Sequence, residues 1–248
     1  MSSSQKHRGQ QSEDAKFFAP TTWKALNDAV DDLSWLWTRG YGEKAGIKMV
    51  GDRYLLTNRQ REALRRAACS DQALFRRPTN ALPLTDLRGE NVAIDGYNLL
   101  ITIESSLSNG FVIACRDGTY RDIASIHGTY RRVEETFPAI EAISAALKEL
   151  GVAATSWYLD KPVSNSGRLK GYLLEAAQEM GSDWEVELVF SPDKVLAQTS
   201  SAVVVSSDGA VLDQAERWAN VTRYMIDRLP DPQILPMQGN RFAAGCGL

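Results

Sequence analysis

The sequence predicts an α/β protein in three layers, with a mainly parallel sheet between helices, preceded by a small α-helical domain. Two far-separated apolar runs, Val92-Ala93-Ile94 and Ala202-Val203-Val204-Val205, lead into aspartates, Asp95 and Asp208. Strand-like segments at 92–94, 111–115, 155–159, 184–190 and 202–206 are separated by helical ones at 140–150, 167–180 and 215–228. Strands alternating with helices form parallel βαβ units with right-handed crossovers. Ahead of Pro78, Pro83 and Gly89 the pattern is helical instead, so the chain divides into 1–15, 16–88 and 89–248.

Residues 1–15 are polar and offer nothing to bury against the entropy of ordering, so a disordered tail is expected. A helix follows, because Leu26, Val30, Leu33 and Trp37 recur at three- and four-residue spacing with Asp28, Asp31 and Asp32 opposite. Arg39-Gly40 stops it, and Trp35 and Trp37 are expected to pack between helices. Thr57 and Gln60 have the spacing of a capping box. The helix they open carries Leu64, Ala67 and Ala68 on one side and Arg61 and Arg65 one turn apart. The stretch from Arg53 to Arg77 is the most basic in the chain, which suits either a phosphate-holding face or a solvated helix face.

With 248 residues and a net charge of −3, the chain can bury a sizeable core and has no general cationic coat. Cys69, Cys115 and Cys246 are too scattered for a metal knuckle and odd in number, which points to a reducing, cytoplasmic setting. The polar start is no signal peptide, and no apolar run is long enough to span a bilayer. His7 stands in the polar start and His127 has no ligand-spaced companion, so no catalytic dyad is written. Gly-x-Ser-x-Gly, Walker A and Gly-x-Gly-x-x-Gly motifs are absent. Tyr97 occupies the position where a haloacid-dehalogenase phosphatase needs its second aspartate.

Chemistry is expected at the strand ends, because open α/β sheets bind ligands beyond the carboxyl ends of their strands. Asp95 and Asp208 converging there would make a hard-cation site suited to phosphodiester chemistry. Asp160 ends the 155–159 strand and Asp193 follows 184–190. Singly, each serves equally well as a turn former or helix cap. Ser164-Asn165-Ser166-Gly167-Arg168 opens a helix, where a serine cap is the simplest reading and a phosphate beside Arg168 the functional one.

Asp95-Gly96-Tyr97-Asn98 after its strand resembles the opening motif of the PIN-like nucleases, particularly their NYN branch. Ser206-Ser207-Asp208-Gly209 is similar to the later Ser-x-Asp-x-Asp motif, although Ala210 stands where the second aspartate is usual and the next acid is Asp213. Asp193-Lys194 resembles the charged pair before the last catalytic strand. Together with 37–41, 50–54, 94–104, 160–168 and 207–213, most of the chain resembles a prokaryotic family that joins a helical domain of unknown function to a PIN-like domain. The resemblance implies a Rossmann-like fold and a Mg²⁺- or Mn²⁺-dependent nuclease acting on RNA. Asp95, Asp160, Asp208 and Asp213 would be catalytic, and Asp95, Asp193, Asp208 and Asp213 metal ligands. Substrate would be held by Asn98, Lys194 and Ser207 and, on the helix start and the basic stretch described above, by Ser164, Asn165, Arg168, Arg61 and Arg65. No membrane partner is expected, a homodimer stays open, and the alternative is an inactive PIN-like binding module.

Overall fold

The structure, a computed structural model, describes residues 7–124 and 128–240; His127 and Cys246 lie outside the described residues. Five helices come first: α1 (Asp14–Phe17), α2 (Trp23–Thr38), α3 (Glu43–Arg53), α4 (Asn58–Ala67) and α5 (Asp71–Thr79). The predicted strip of α2 is buried through Leu26, Ala29, Val30 and Leu33. At the start of α4 the capping box forms, with the Thr57 side chain accepting from the Gln60 amide and the Gln60 side chain from the Thr57 amide. Trp37 packs against the helical core. Trp35 instead is exposed, and the Arg39 guanidinium lies 3.7 Å from its ring centroid.

Strand β1 (Asn91–Asp95) runs directly into α6 (Gly96–Leu107), followed by a hairpin of β2 (Val112–Cys115) and β3 (Tyr120–Asp122). Next come α7 (Thr136–Glu149), β4 (Ala154–Asp160), α8 (Ser166–Met180), β5 (Trp184–Val189) and α9 (Pro192–Ala197). The last elements are β6 (Val203–Val205), α10 (Gly209–Leu212), α11 (Val221–Ile226) and β7 (Ile234–Met237). The main sheet has the order β5-β4-β1-β6 and is parallel throughout. Val92, Ile94, Val203 and Val205 pack with α6, α7 and α8, while Ala93 and Val204 pack with Leu196, Val211 and Trp218 on the other face. Burial on both faces is why these strands read as unbroken apolar runs.

A smaller sheet, β3-β2-β7, pairs β2 antiparallel to β3 and parallel to β7. Ile113, Cys115, Leu235 and Met237 share a core with Leu26, Val30, Leu33 and Leu64, whereas Val112 and Ala114 join the core around α6. The helical region therefore rests on the small sheet. Among the described residues no helix is long and apolar enough to cross a membrane.

Three features differ from the sequence expectations. From His7 onward the polar start is tied down: Arg8 Nε donates to the buried Glu104 at 2.8 Å, and Asp14 takes a two-point bond from Arg59 at 2.9 Å. Their partners lie far along the chain, so local composition carries no trace of them. Between residues 215 and 228 the helix is confined to α11. Residues 217–219 instead hydrogen-bond alongside β6, through Val204 N to Arg217 O at 3.0 Å and Ala219 N to Val204 O at 2.9 Å. Strands β3 and β7 carry no apolar run of their own, being short and interrupted by Arg121, Asp122 and Pro236.

One buried cluster fastens the helical region to both sheets. Asp117, in the β2–β3 turn, accepts from Arg77 of α5 and, at 2.6 Å, from Arg121 of β3. Arg121 also donates to Ser207 O and Arg66 O, both at 2.5 Å, and Arg77 to Gly209 O at 3.2 Å and Asp213 at 2.9 Å. Burial raises the Asp117 carboxyl, but Arg121 and Arg77 outweigh it and hold the group at about 2. Asp117→Ala leaves both buried guanidinium groups without this carboxylate, so unfolding in urea is expected to show a loss of about 3–5 kcal/mol. A loss below about 1 kcal/mol, the scale of an exposed pair, would contradict the fastening role.

Candidate functional site

The parallel register brings the carboxyl ends of all four main strands to one edge. Asp95 ends β1, Asp160 ends β4, Asp193 lies in the first turn of α9 just after β5, and Asp208 follows β6. Asp95 caps α6, its Oδ1 accepting from Asn98 N at 3.3 Å. Gly96 is required next to it, because a Cβ there would stand 2.5 Å from Leu159 Cδ2 and 3.0 Å from Tyr158 O on β4. Asp208 caps α10, its Oδ1 accepting from Ala210 N at 2.7 Å.

Ser206 joins the two caps. Its hydroxyl donates to Asp95 Oδ2 at 2.9 Å and accepts from Asp208 N at 3.0 Å. Asn98 Oδ1 accepts from Ser207 N at 2.8 Å and Ser207 Oγ at 2.9 Å, pinning the β6 loop to α6. Burial above all, then the charges of Asp208 and Asp193, push the Asp95 carboxyl up to about 7 against the Ser206 hydrogen bond. Asp160 and Asp193 are also held above the ordinary carboxylate range, first by burial and then by Asp193 and Asp208 respectively. Asp193 stands exposed at the rim, so water still reaches it from one side. Among the described residues none of the four acids has an ion-pair partner.

An open cleft of about 580 Å³ lies between this edge and the helical region, lined by Asn98, Tyr97, Asp208, Arg65, Arg66 and Asp213 among others. Arg65 and Asp208 thus share one cleft, and of the four strand-end acids Asp208 is the one that lines it. Arg61 does not line it: its guanidinium donates to Leu56 O at 2.9 Å and Asp52 at 2.8 Å, packed where a Cβ on Gly51 would collide. Asp213 is drawn away from the other acids by Arg76 at 2.8 Å and Arg77 at 2.9 Å, which overcome its burial and lower its pKa. Asn165 and Arg168 line a separate depression, Ser164 is engaged by its backbone with Tyr130 and Gly128, and Lys194 is exposed on α9. Sequence reasoning passed over Tyr97, which lines the cleft with its hydroxyl buried and, among the described residues, without a hydrogen-bond partner. Its place inside the Asp-Gly-Tyr-Asn motif was the available signal.

The donor set fits a hard cation. It offers carboxylate oxygens and no imidazole, and the free thiols Cys69 and Cys115 are buried and pushed up to about 11 and about 12. Among the described residues no group of three or more His, Cys, Asp or Glu side chains is gathered tightly enough to hold a metal. Mg²⁺ does not require one, since it keeps several waters and binds through one or two carboxylates. Without such an ion, Asp95 favours folding in its protonated form, because its pKa rises from 3.8 in the unfolded chain to about 7 in the folded one. Its contribution is full below pH 3.8 and lost as pH rises through about 7. In EDTA, Asp95→Asn is therefore expected to be more stable than wild type at pH 8, by on the order of 2 kcal/mol, with the gain vanishing toward pH 4. Parallel pH profiles of thermal unfolding for the two proteins would contradict this.

Residues 84–224, more than half of the chain, match the family model described as Domain of unknown function (DUF5616), and residues 25–78 match Protein of unknown function (DUF434). Neither description mentions a PIN-like domain. A protein of Methanocaldococcus jannaschii, Uncharacterized protein MJ0935, is 29% identical over 189 residues, covering 74% of this chain and 90% of its own length. No solved structure matches the chain.

Proposed function

The chain belongs to the family described as Domain of unknown function (DUF5616), and we propose that it is a divalent-metal-dependent nuclease hydrolysing phosphodiester bonds, with RNA as substrate. One observation carries this reading: Asp95, Asp160, Asp193 and Asp208 lie along the carboxyl edge of one parallel sheet with no ion-pair partner among the described residues. Carboxylates without an ion-pair partner along one edge, Asp208 alone among them feeling the charges of Arg65 and Arg121, oppose folding, and such groups are a mark of functional sites. The resemblance of Asp95-Gly96-Tyr97-Asn98 and Ser206-Ser207-Asp208 to PIN-like motifs supports the same assignment.

Asp95 and Asp208, joined through Ser206, would hold Mg²⁺ or Mn²⁺, with Asp193 as the next carboxylate. The cation, when bound, offsets charge on the scissile phosphate and makes a water acidic enough to attack near neutral pH. Asn98 and Ser207 keep the β6 loop, and with it Asp208, in register with Asp95. Asp160 is charge-coupled to Asp193 and held above its ordinary pKa, which suits it to exchange a proton with a substrate oxygen. From α4 Arg65, exposed although paired with Glu62 at 2.8 Å, would exchange part of that pairing for the phosphate backbone without reading sequence.

Ala210 and the absence of a tight three-ligand group among the described residues favour a second reading, a PIN-like module that binds nucleic acid without cleaving it. Cleavage separates the two. Asp95→Asn is expected to lower Mn²⁺-dependent cleavage of single-stranded RNA at least ~100-fold with the circular-dichroism spectrum unchanged, and EDTA to abolish wild-type cleavage. Binding that persists with no wild-type cleavage in Mn²⁺ would support the module instead.

The two arginines of α4 should also separate. Arg65→Gln is expected to weaken RNA binding severalfold and to flatten its salt dependence by about 0.7 in the log–log slope. Arg61→Gln, being outside the cleft, should leave both unchanged while lowering the melting temperature. Equal effects of the two on the salt slope would show that α4 does not face the substrate in this orientation.

A further inference from the structure

Beside the acidic edge lies a second depression, of about 260 Å³, separate from the main cleft. Its floor is fixed where residues 128–130 run alongside the start of α8. Tyr130 N donates to Ser164 O at 3.0 Å, and the Asn165 side chain, on a residue with φ 70°, donates to Tyr130 O at 2.9 Å. Arg131, Arg132 and Arg168 line it; all three are exposed and, among the described residues, none has a carboxylate partner. The contrast with the main cleft is sharp, since Arg65, Arg66 and Arg77 are each tied to a carboxylate there.

Tyr172 supplies an aromatic side, with Phe137 packed behind it outside the lining. Phe137 and Tyr172, with ring centroids 5.5 Å apart, hold the Arg132 guanidinium at 5.7 and 5.5 Å. Cationic groups beside exposed ring surface are what a nucleotide in a single strand requires, charge for its phosphate and a face for its base. The depression also adjoins the acidic edge. Tyr130 lines it, Tyr97 lines the main cleft, and their rings are 5.6 Å apart, so one pair of side chains forms the wall between the two.

We propose that this depression is a subsite for a nucleotide of single-stranded RNA flanking the scissile linkage. Arg131 and Arg168 take its phosphate, and Tyr172, backed by Phe137, offers the stacking face. The identity of the strand rests on the nuclease reading. An acidic peptide would satisfy the arginines but leave the ring surface unused, which favours the nucleotide.

The test is fluorescence anisotropy of a labelled single-stranded RNA with the full chain in EDTA, so that binding is read without cleavage. Arg131→Gln combined with Arg168→Gln is expected to weaken binding about tenfold or more and to reduce the log–log salt slope by about 0.7, because one fewer phosphate is neutralised on binding. Tyr172→Leu, which keeps apolar bulk in the core, is expected to weaken binding about fivefold or more with little change in slope. Thermal melts of both variants establish that they are folded. Variants that bind within twofold of wild type overturn the subsite, as does displacement of the RNA by polyglutamate as readily as by unlabelled RNA. Failure of wild type to bind the RNA also overturns it. The nuclease reading is judged separately, by cleavage in Mn²⁺, which a failed subsite leaves standing.

Discussion

The buried carboxylate of Asp117 between Arg77 and Arg121 is the interaction on which the remaining architecture depends. It unites α5, the β2–β3 hairpin and the loop after β6, three pieces that have no backbone pairing in common. A buried ion pair adds little net stability, since desolvating charges costs about as much as their attraction returns. Its effect is positional. The guanidinium groups have further donors, and those donors hold the carbonyls of Ser207 and Gly209 on either side of Asp208.

That arrangement separates the charges of the cleft into two populations. Cations on the helical side are neutralised internally: Arg66 by Glu62 and Asp122, Arg77 by Asp117 and Asp213. The four acids at the main sheet's edge, of which Asp208 lines the cleft, have no ion-pair partner among the described residues. Asp213, only a turn or so beyond Asp208, belongs to the first population because Arg76 and Arg77 reach it. Position along the chain therefore does not decide which acids can serve a cation; the reach of α5 does.

Much of the fold was legible because its signals are local. The runs ending at Asp95 and Asp208 are buried on both faces, and Thr57 with Gln60 needs only a four-residue window to announce α4. Legibility failed where partners are distant. Arg8 belongs to Glu104 and Asp14 to Arg59, so a polar start that looks unable to fold is anchored at two points. Arg61 and Arg65 look equivalent on a helix, yet Gly51 and Leu56 receive one while the other borders the cleft. Trp218 turned a helical-looking stretch into an extended one, its indole donating to Arg77 O at 2.7 Å. The acids of the candidate site lie between these cases: each strand end was visible alone, and the parallel register determined that they share an edge.

The central claim is that Asp95 and Asp208 form one cation site. Electron paramagnetic resonance of Mn²⁺ titrated into the protein measures the free ion directly, with or without any substrate. The account predicts one class of saturable binding in wild type, weakened at least ~100-fold in both Asp95→Asn and Asp208→Asn and retained in Asp213→Asn. Mn²⁺ that stays free in the wild-type titration, or binding that Asp95→Asn and Asp208→Asn leave intact, would contradict it.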